Sequence, residues 1–204
     1  MHSKRRPHAS PPWPDEAPLW VERERSVDWT ARQRKVDWVA RERSVALWFH
    51  RASARAWVVR FLDAVSRVGD GWLWYAVIAC LPWAGGPVGT SAAVRMIGVG
   101  AVDLVVYRII KRWIARPRPY RTCPGIRACA RSLDEFSFPS GHTLHSVAFS
   151  LILTVYYPMF ALVVWPFTVL VAVSRIVLGL HYPSDVIVGA LIGALTAAVS
   201  FNLL

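Results

Sequence analysis

His181 stands four residues before Asp185. Pro183 suits the first position of a helix, so Asp185 falls in its first turn and can reach back toward the imidazole. A carboxylate there fixes the tautomer and leaves the other ring nitrogen free to attack an electrophile. A second histidine, His142, follows Pro139-Ser140-Gly141 and has the titration range to protonate a departing alkoxide. Lys111, Arg118 and Arg175 supply fixed positive charge and many N–H donors, which suit the oxygens of a phosphate or a phosphate-like transition state. The helix opening at Ser140-Gly141-His142 adds free backbone N–H groups and a positive dipole end. No acidic cluster is placed to hold magnesium or zinc, and two histidines lack companion ligands, so metal-free chemistry without a cofactor is expected.

These residues come from three remote places, and the elements between them decide whether they meet. The 204-residue chain is 54% hydrophobic with a mean hydropathy of +0.33, too apolar for an ordinary soluble domain, yet its formal charge is +11. The two properties are segregated: residues 1–67 carry 14 basic and eight acidic side chains, whereas 136–174 contain none. Three cysteines rule out a disulfide-rich scaffold, and the apolar content rules out disorder overall. Charge alone leaves nucleic-acid binding open.

Five spans are predicted: Gly71–Val94, ending in the turn signal Gly85-Gly86-Pro87; about Ala92–Ile110; two within 136–174, divided at Tyr156-Tyr157-Pro158; and Val186–Leu204. Gly189, Gly193 and Ala197 place small residues every fourth position of the last span, so a neighbour can pack closely. The expected fold is an all-α, polytopic helical membrane bundle. With alternating span directions, Lys111 and Arg118, the Ser140-Gly141-His142 segment, and Arg175 with His181 and Asp185 all face one mouth.

The N-terminal third reads differently. Residues 1–18 hold five prolines and form a tail, with no apolar core of a signal peptide. Within 19–44 a nine-residue repeat runs from Arg25 to Gln33 and again from Arg34 to Glu42. It puts Trp29 and Trp38 on opposite sides of a helix, so it is read as a charged duplication without catalytic consequence rather than a membrane-surface segment. Residues 45–67, with apolar side chains three or four apart and Arg51, Arg55, Arg60 and Arg67 between them, predict one interfacial helix ahead of the membrane domain at 68–204.

Each feature has a plainer reading: Lys111 and Arg118 as anchors after a span, Pro139-Ser140 as a helix start, Asp185 as a dipole partner. Together, Lys111 with Arg118-Pro119, then Pro139-Ser140-Gly141-His142, then Ser174-Arg175 with His181 and Asp185, closely resemble the three-part signature of the type 2 phosphatidic acid phosphatase (PAP2) family. The resemblance covers about residues 65–204. It implies metal-independent removal of phosphate from a lipid phosphate or diphosphate, with His181 phosphorylated, Asp185 orienting it, and His142 protonating the leaving oxygen. Lys111, Arg118, Ser140, Gly141 and Arg175 would hold the phosphoryl group. The implied partners are such a lipid and the bilayer of a bacterial-type cytoplasmic membrane, with no nucleic acid. Many bacterial members show six spans, where five plus a surface helix are counted here.

The same phosphohistidine would serve a lipid phosphotransferase, and a basic membrane anchor is the non-enzymatic alternative. Vanadium haloperoxidases share this kind of site, but five apolar spans argue against that soluble class. Arg108, Arg112, Arg116, Arg121, Arg127 and Arg131 cluster on the side of the mouth, which by the positive-inside rule points to the cytoplasm. Many bacterial relatives instead work on the outer face, where Cys123 and Cys129 could pair. Asp103, Tyr107 and Lys111 share a helix face, so Asp103 is a candidate to orient Lys111, to line the substrate path or to partner a buried Arg. His145 is placed beside the site or in the packing.

Overall fold

Gly86 divides the longest apolar helix of the chain. In the computed structural model, which describes residues 37–132 and 134–203, α3 extends over Trp72–Ile114, but Gly86 adopts φ 55° and ψ −137°. Only glycine takes that conformation without strain, and Pro87 has no N–H to continue the helical ladder. The segment is therefore two helices, 72–85 and 87–114. The turn falls where Gly85-Gly86-Pro87 predicts it, and the second helix begins before the expected Ala92. At 1.5 Å per residue that second helix is about 40 Å long, enough to carry Lys111 beyond a bilayer core of about 30 Å.

The break predicted at Tyr156-Tyr157-Pro158 is also present. Helix α5, Gly141–Tyr156, ends there and a short 3₁₀ turn leads into α6, Ala161–Val177. The one-turn helix α4, Pro119–Thr122, precedes α5, and α7, Pro183–Leu203, closes the fold. Pro158–Val177 and Pro183–Leu203 are each long and apolar enough to cross a membrane. No strand occurs among the described residues; an isolated bridge joins Pro117 and Phe136. The architecture is the expected all-α membrane bundle.

Helix α7 lies along α5, and its small residues are the reason. A Cβ on Gly193 would collide with the Leu144 carbonyl oxygen, and one on Gly189 would sit 2.6 Å from that of Ser140. Ala197 is fully buried in the same stripe. Trp74, Met96, Phe149 and Ile152 fill the core between α3 and α5. Outward, Leu162, Leu191 and Leu195 are exposed, as expected of a surface solvated by lipid. Exposed Trp72 and Trp113 stand at the two ends of α3, with exposed Trp83 beside its kink, the usual station of tryptophan at membrane boundaries.

The single helix predicted over 45–67 is instead two. Helix α1, Asp37–His50, is followed by a 3₁₀ turn at Arg51–Ala54 and by α2, Ala56–Val68. A tertiary contact overrides the periodicity here: His50 Nδ1 lies 2.9 Å from the Val177 carbonyl, and its Nε2 accepts the Arg127 backbone N–H at 3.2 Å. Helix α2 packs along α6 through Leu62 while Trp57 and Phe61 remain exposed. The tail and most of the repeat, residues 1–36, lie outside the described residues.

Candidate active site

Helix α3 stops where Ala115 turns left-handed at φ 46°, and the chain folds back through Arg116 and Arg118. Lys111, in the last turn, donates to Tyr107 Oη at 2.8 Å and to Asp134 Oδ2 at 2.6 Å. Tyr107 donates to the same Asp134 oxygen at 2.6 Å. Arg118 donates to Asp134 Oδ1 at 2.8 Å and to the Asp134 carbonyl at 3.0 Å. One carboxylate thus bridges two of the candidate phosphate-binding cations. Burial alone would raise the Asp134 carboxyl, but hydrogen bonds from Lys111 and Tyr107, with the charges of Lys111 and Arg118, bring it down to about 2.

The second segment is fixed by close packing. Gly141 lies against the Tyr107 ring, where a Cβ would come within 2.8 Å. Ser140 precedes the helix, and its backbone N–H donates to the Asp185 carbonyl at 2.9 Å. No side chain caps α5, so the N–H groups of its first turn keep their affinity for an anion. The Ser140 hydroxyl is buried and lies 3.0 Å from Thr143 Oγ1, turned to a neighbour in its own helix.

The third segment returns on itself. Gly179, at φ 75°, fits under the Arg127 carbonyl, and the backbone N–H groups of Leu180 and His181 both reach the Arg175 carbonyl, at 3.1 and 3.0 Å. Arg175 itself donates to the Ser66 hydroxyl of α2, and its Nε has no partner among the described residues. His181, 2% exposed, is set with Nε2 3.3 Å from Arg118 Nη1. A guanidinium can only donate, so Nε2 carries the lone pair and the ring proton sits on Nδ1. Burial, then the charges of Arg175, Arg118, Lys111 and His142, hold the imidazole well below its ordinary value of 6.5.

The expected hydrogen bond between Asp185 and His181 is replaced by a longer contact. Nδ1 lies 3.7 Å from Asp185 Oδ2, beyond hydrogen-bond range. Two stronger claims on the carboxylate explain it: the Tyr182 backbone N–H donates to Oδ2 at 2.8 Å and Arg116 to Oδ1 at 2.7 Å. Asp185 nonetheless lies beside the nitrogen that bears the proton.

Lowering a buried histidine's pKa has a definite sign for stability. Between the depressed folded value and 6.5 the unfolded chain binds a proton that the folded chain refuses, so stability falls as pH drops below 6.5. Each pH unit costs up to about 1.4 kcal/mol from this group. His181→Gln should therefore lose less of its melting temperature between pH 7 and pH 5 than the parent protein does. Parallel pH profiles measured in one detergent would contradict the assignment of His181 as buried and neutral.

Four contacts lay outside the sequence reading. Asp134 bridges Lys111 and Arg118; Ser66 holds Arg175. Arg116 pairs with Asp185 and, at 2.6 Å, with Glu42, and stacks over the Tyr182 ring with its guanidinium carbon 4.0 Å from the centroid. Glu42 also accepts the Ser184 N–H at 2.9 Å, so the last residue of the repeat supports the His181–Asp185 turn. The fourth is Asp70, whose Oδ1 lies 3.1 Å from His142 Nε2. Asp103 is buried and partners neither cation: Lys111 turns to Tyr107 and Asp134, and Arg95 bonds Tyr156 and Ser200. His145 lies 2.9 Å from the Gly141 carbonyl and packs on Phe149. A cavity of about 510 Å³ is lined by His142, Asp70 and Tyr107 together with the apolar Trp74, Met96, Ile97 and Phe149.

A family model described as the PAP2 superfamily matches residues 91–204. The chain is 37% identical over 105 residues to decaprenylphosphoryl-5-phosphoribose phosphatase of Mycobacterium tuberculosis, across 50% of this chain and 56% of that protein. It is 31% identical over 111 residues to phosphatidylglycerophosphatase B of Bacillus subtilis, across 49% and 52%. The chain spans about half the length of these curated relatives. Aquifex aeolicus LpxE superposes with a TM-score of 0.69 at 21% identity, covering 78% of this chain and 93% of that one. The PAP2 type phosphatidylglycerolphosphate phosphatase from Bacillus subtilis gives 0.64 at 20% identity, covering 91% and 92%. Both share its fold.

Proposed function

The chain belongs to the PAP2 superfamily, and we propose that it hydrolyses a lipid phosphate or diphosphate through a phosphohistidine on His181, without a metal. The observation that carries this reading is the bare Nε2 of a neutral, buried His181 among Arg118, Arg175 and Lys111. That nitrogen is a nucleophile in a field that attracts phosphate and repels a metal cation.

In the first step Nε2 of His181 bonds to phosphorus as the bond to the leaving oxygen breaks, and His142 gives that oxygen its proton. Lys111, Arg118, Arg175 and the N–H groups at the start of α5, from Gly141 onward, hold the phosphoryl oxygens; the incoming phosphate takes the donors that Asp134 occupies. Ser140 contributes its place at the helix start. Asp185 steadies the Nδ1–H side as the ring becomes charged. In the second step His142 accepts a proton from water, the water oxygen bonds to phosphorus, and the nitrogen–phosphorus bond breaks to release inorganic phosphate.

The apolar cavity beside His142 and the names of the curated relatives support a lipid substrate. The arginine-rich loops support a bacterial membrane setting with the site toward the cytoplasm. The test is phosphate release by purified protein in detergent, with chelator present and no acceptor lipid, from phosphatidate, phosphatidylglycerol phosphate and a polyprenyl diphosphate. Release from at least one is expected, and a water-soluble analogue is expected to be cleaved by cells only after permeabilisation. A requirement for added magnesium would overturn the metal-free mechanism, and a requirement for an acceptor lipid would favour the phosphotransferase.

A further inference from the structure

We propose that Asp70 is the positioning residue of the proton donor: its carboxylate holds Nε2–H of His142, so that Nδ1 is the atom that exchanges protons with the leaving oxygen and with water. The inference rests on the reading of the chain as a lipid phosphatase. Asp70 lies outside the segment that matches the family, in the connection between α2 and α3, and the geometry that brings it to α5 is specific.

The two neighbours of Asp70 are glycines that both need to be glycines. A Cβ on Gly69 would fall 2.8 Å from Val171 Cγ2 of α6, and Gly71 takes φ 105°. The turn they make sets Asp70 Oδ1 3.1 Å from His142 Nε2, in the lining of the cavity. An acid preceding a helix often serves the helix itself, as a cap or a dipole partner. Here Gly71 is the capping residue and no side chain bonds the N–H groups of α3, so the carboxylate is committed to the histidine.

Within 3.1 Å of a carboxylate, which only accepts, Nε2 is the nitrogen placed to carry a hydrogen, which leaves Nδ1 for proton exchange. The other charged or titratable groups around His142 are Arg175 at the end of α6, His145 in its own helix, His181 in the α6–α7 loop and Tyr107 of α3. None of them offers a carboxylate, and Arg175 opposes the imidazolium. Asp70 offsets it. In the first step the Nδ1 proton passes to the leaving alkoxide while Nε2–H stays with Asp70. In the second, the neutral ring takes a proton from water at Nδ1 and the pair is restored.

A positioned proton donor matters in proportion to how badly the leaving group needs a proton. Phosphatidate leaves as an alkoxide and needs one; p-nitrophenyl phosphate leaves as a stable phenolate and does not. Values of kcat/KM for both should be measured in mixed micelles for the parent protein, Asp70→Asn and Asp70→Glu. Asp70→Asn is expected to lower the lipid-to-aryl ratio of kcat/KM, which reports the first step alone, by about 10- to 100-fold, at or below the lower end of the roughly 10²–10⁴ that the whole donor supplies. Asp70→Glu, which keeps the charge, should retain the ratio within about fivefold. Equal losses of kcat/KM on both substrates in Asp70→Asn would overturn the proposal, since a merely structural residue affects both alike. If the Asn protein does not survive purification, Asp70→Ser takes its place, with the same fall in the ratio expected and the same result overturning the proposal. His181→Ala separates the two levels: if it retains lipid turnover, or if the parent protein releases no phosphate from any lipid, the phosphatase reading fails rather than the role of Asp70.

Discussion

His181→Ala lowers turnover of the lipid phosphate by at least about 10⁴-fold and removes any acid-labile phosphoenzyme, on the scale seen when a covalent nucleophile is deleted. The size follows from what would remain: on the proposed mechanism Lys111, Arg118, Arg175 and the α5 N-terminus would still bind phosphate, but nothing would be left beside Arg118 to take the phosphoryl group. Binding of a non-reactive phosphate analogue should survive within an order of magnitude, so kcat falls and affinity does not. His142→Ala provides the complementary observation. With p-nitrophenyl phosphate the first step proceeds without a proton donor, the second step lacks its base, and the phosphoenzyme accumulates. Quenched-flow labelling with radioactive phosphate reads both outcomes. Substantial turnover by His181→Ala, or a phosphoenzyme that persists in it, would remove the covalent mechanism.

The residues legible in the sequence are those whose partners are near in the chain or enforced by helix periodicity. His181 and Asp185 are four apart across a helix start, and Ser140-Gly141-His142 opens a helix; such spacing carries geometry with it. The kink at Gly86 and the close packing at Gly189 and Gly193 were legible for the same reason, since a glycine beside proline and a stripe of small residues each admit few structures. The carboxylates were not. Asp70, Asp134 and Glu42 reach His142, Lys111, Arg118 and Arg116 across loops or between helices far apart in the chain, and an isolated acid among arginines looks the same whether it neutralises a surface or completes a site. The division of 45–67 into two helices was hidden likewise, because it is set by the hydrogen bonds of His50 to Arg127 and Val177 rather than by any local breaker.

Asp185→Asn is the more informative of the two large effects, because the substitution changes hydrogen-bond direction while keeping shape. Three groups that can only donate face the Asp185 carboxylate: Tyr182 N–H, an Arg116 N–H, and the Nδ1–H of His181. An amide brings one acceptor and one NH₂, so one donor must now meet another donor. If the NH₂ turns toward His181, the ring is driven to the tautomer with its proton on Nε2, which then cannot attack and also confronts Arg118. If it turns toward Arg116, a hydrogen bond is lost along with the ion pair that the neutral amide removes in either orientation, and Arg116 keeps Glu42 and the Ser184 hydroxyl. Breaking such a pair destabilises by about 3–5 kcal/mol. The expected result is a loss of kcat of about 10³–10⁴-fold, the scale reached when an orienting carboxylate becomes an amide, together with a lower melting temperature. Adding Arg116→Met and Glu42→Gln to Asp185→Asn removes the guanidinium together with the buried carboxylate that would lose it, and should recover much of the stability with none of the activity, which separates the support of the fold from the orientation of the ring. Recovery of activity alongside stability would mean that Asp185 serves only to anchor Arg116, and that the 3.7 Å contact with His181 has no catalytic meaning.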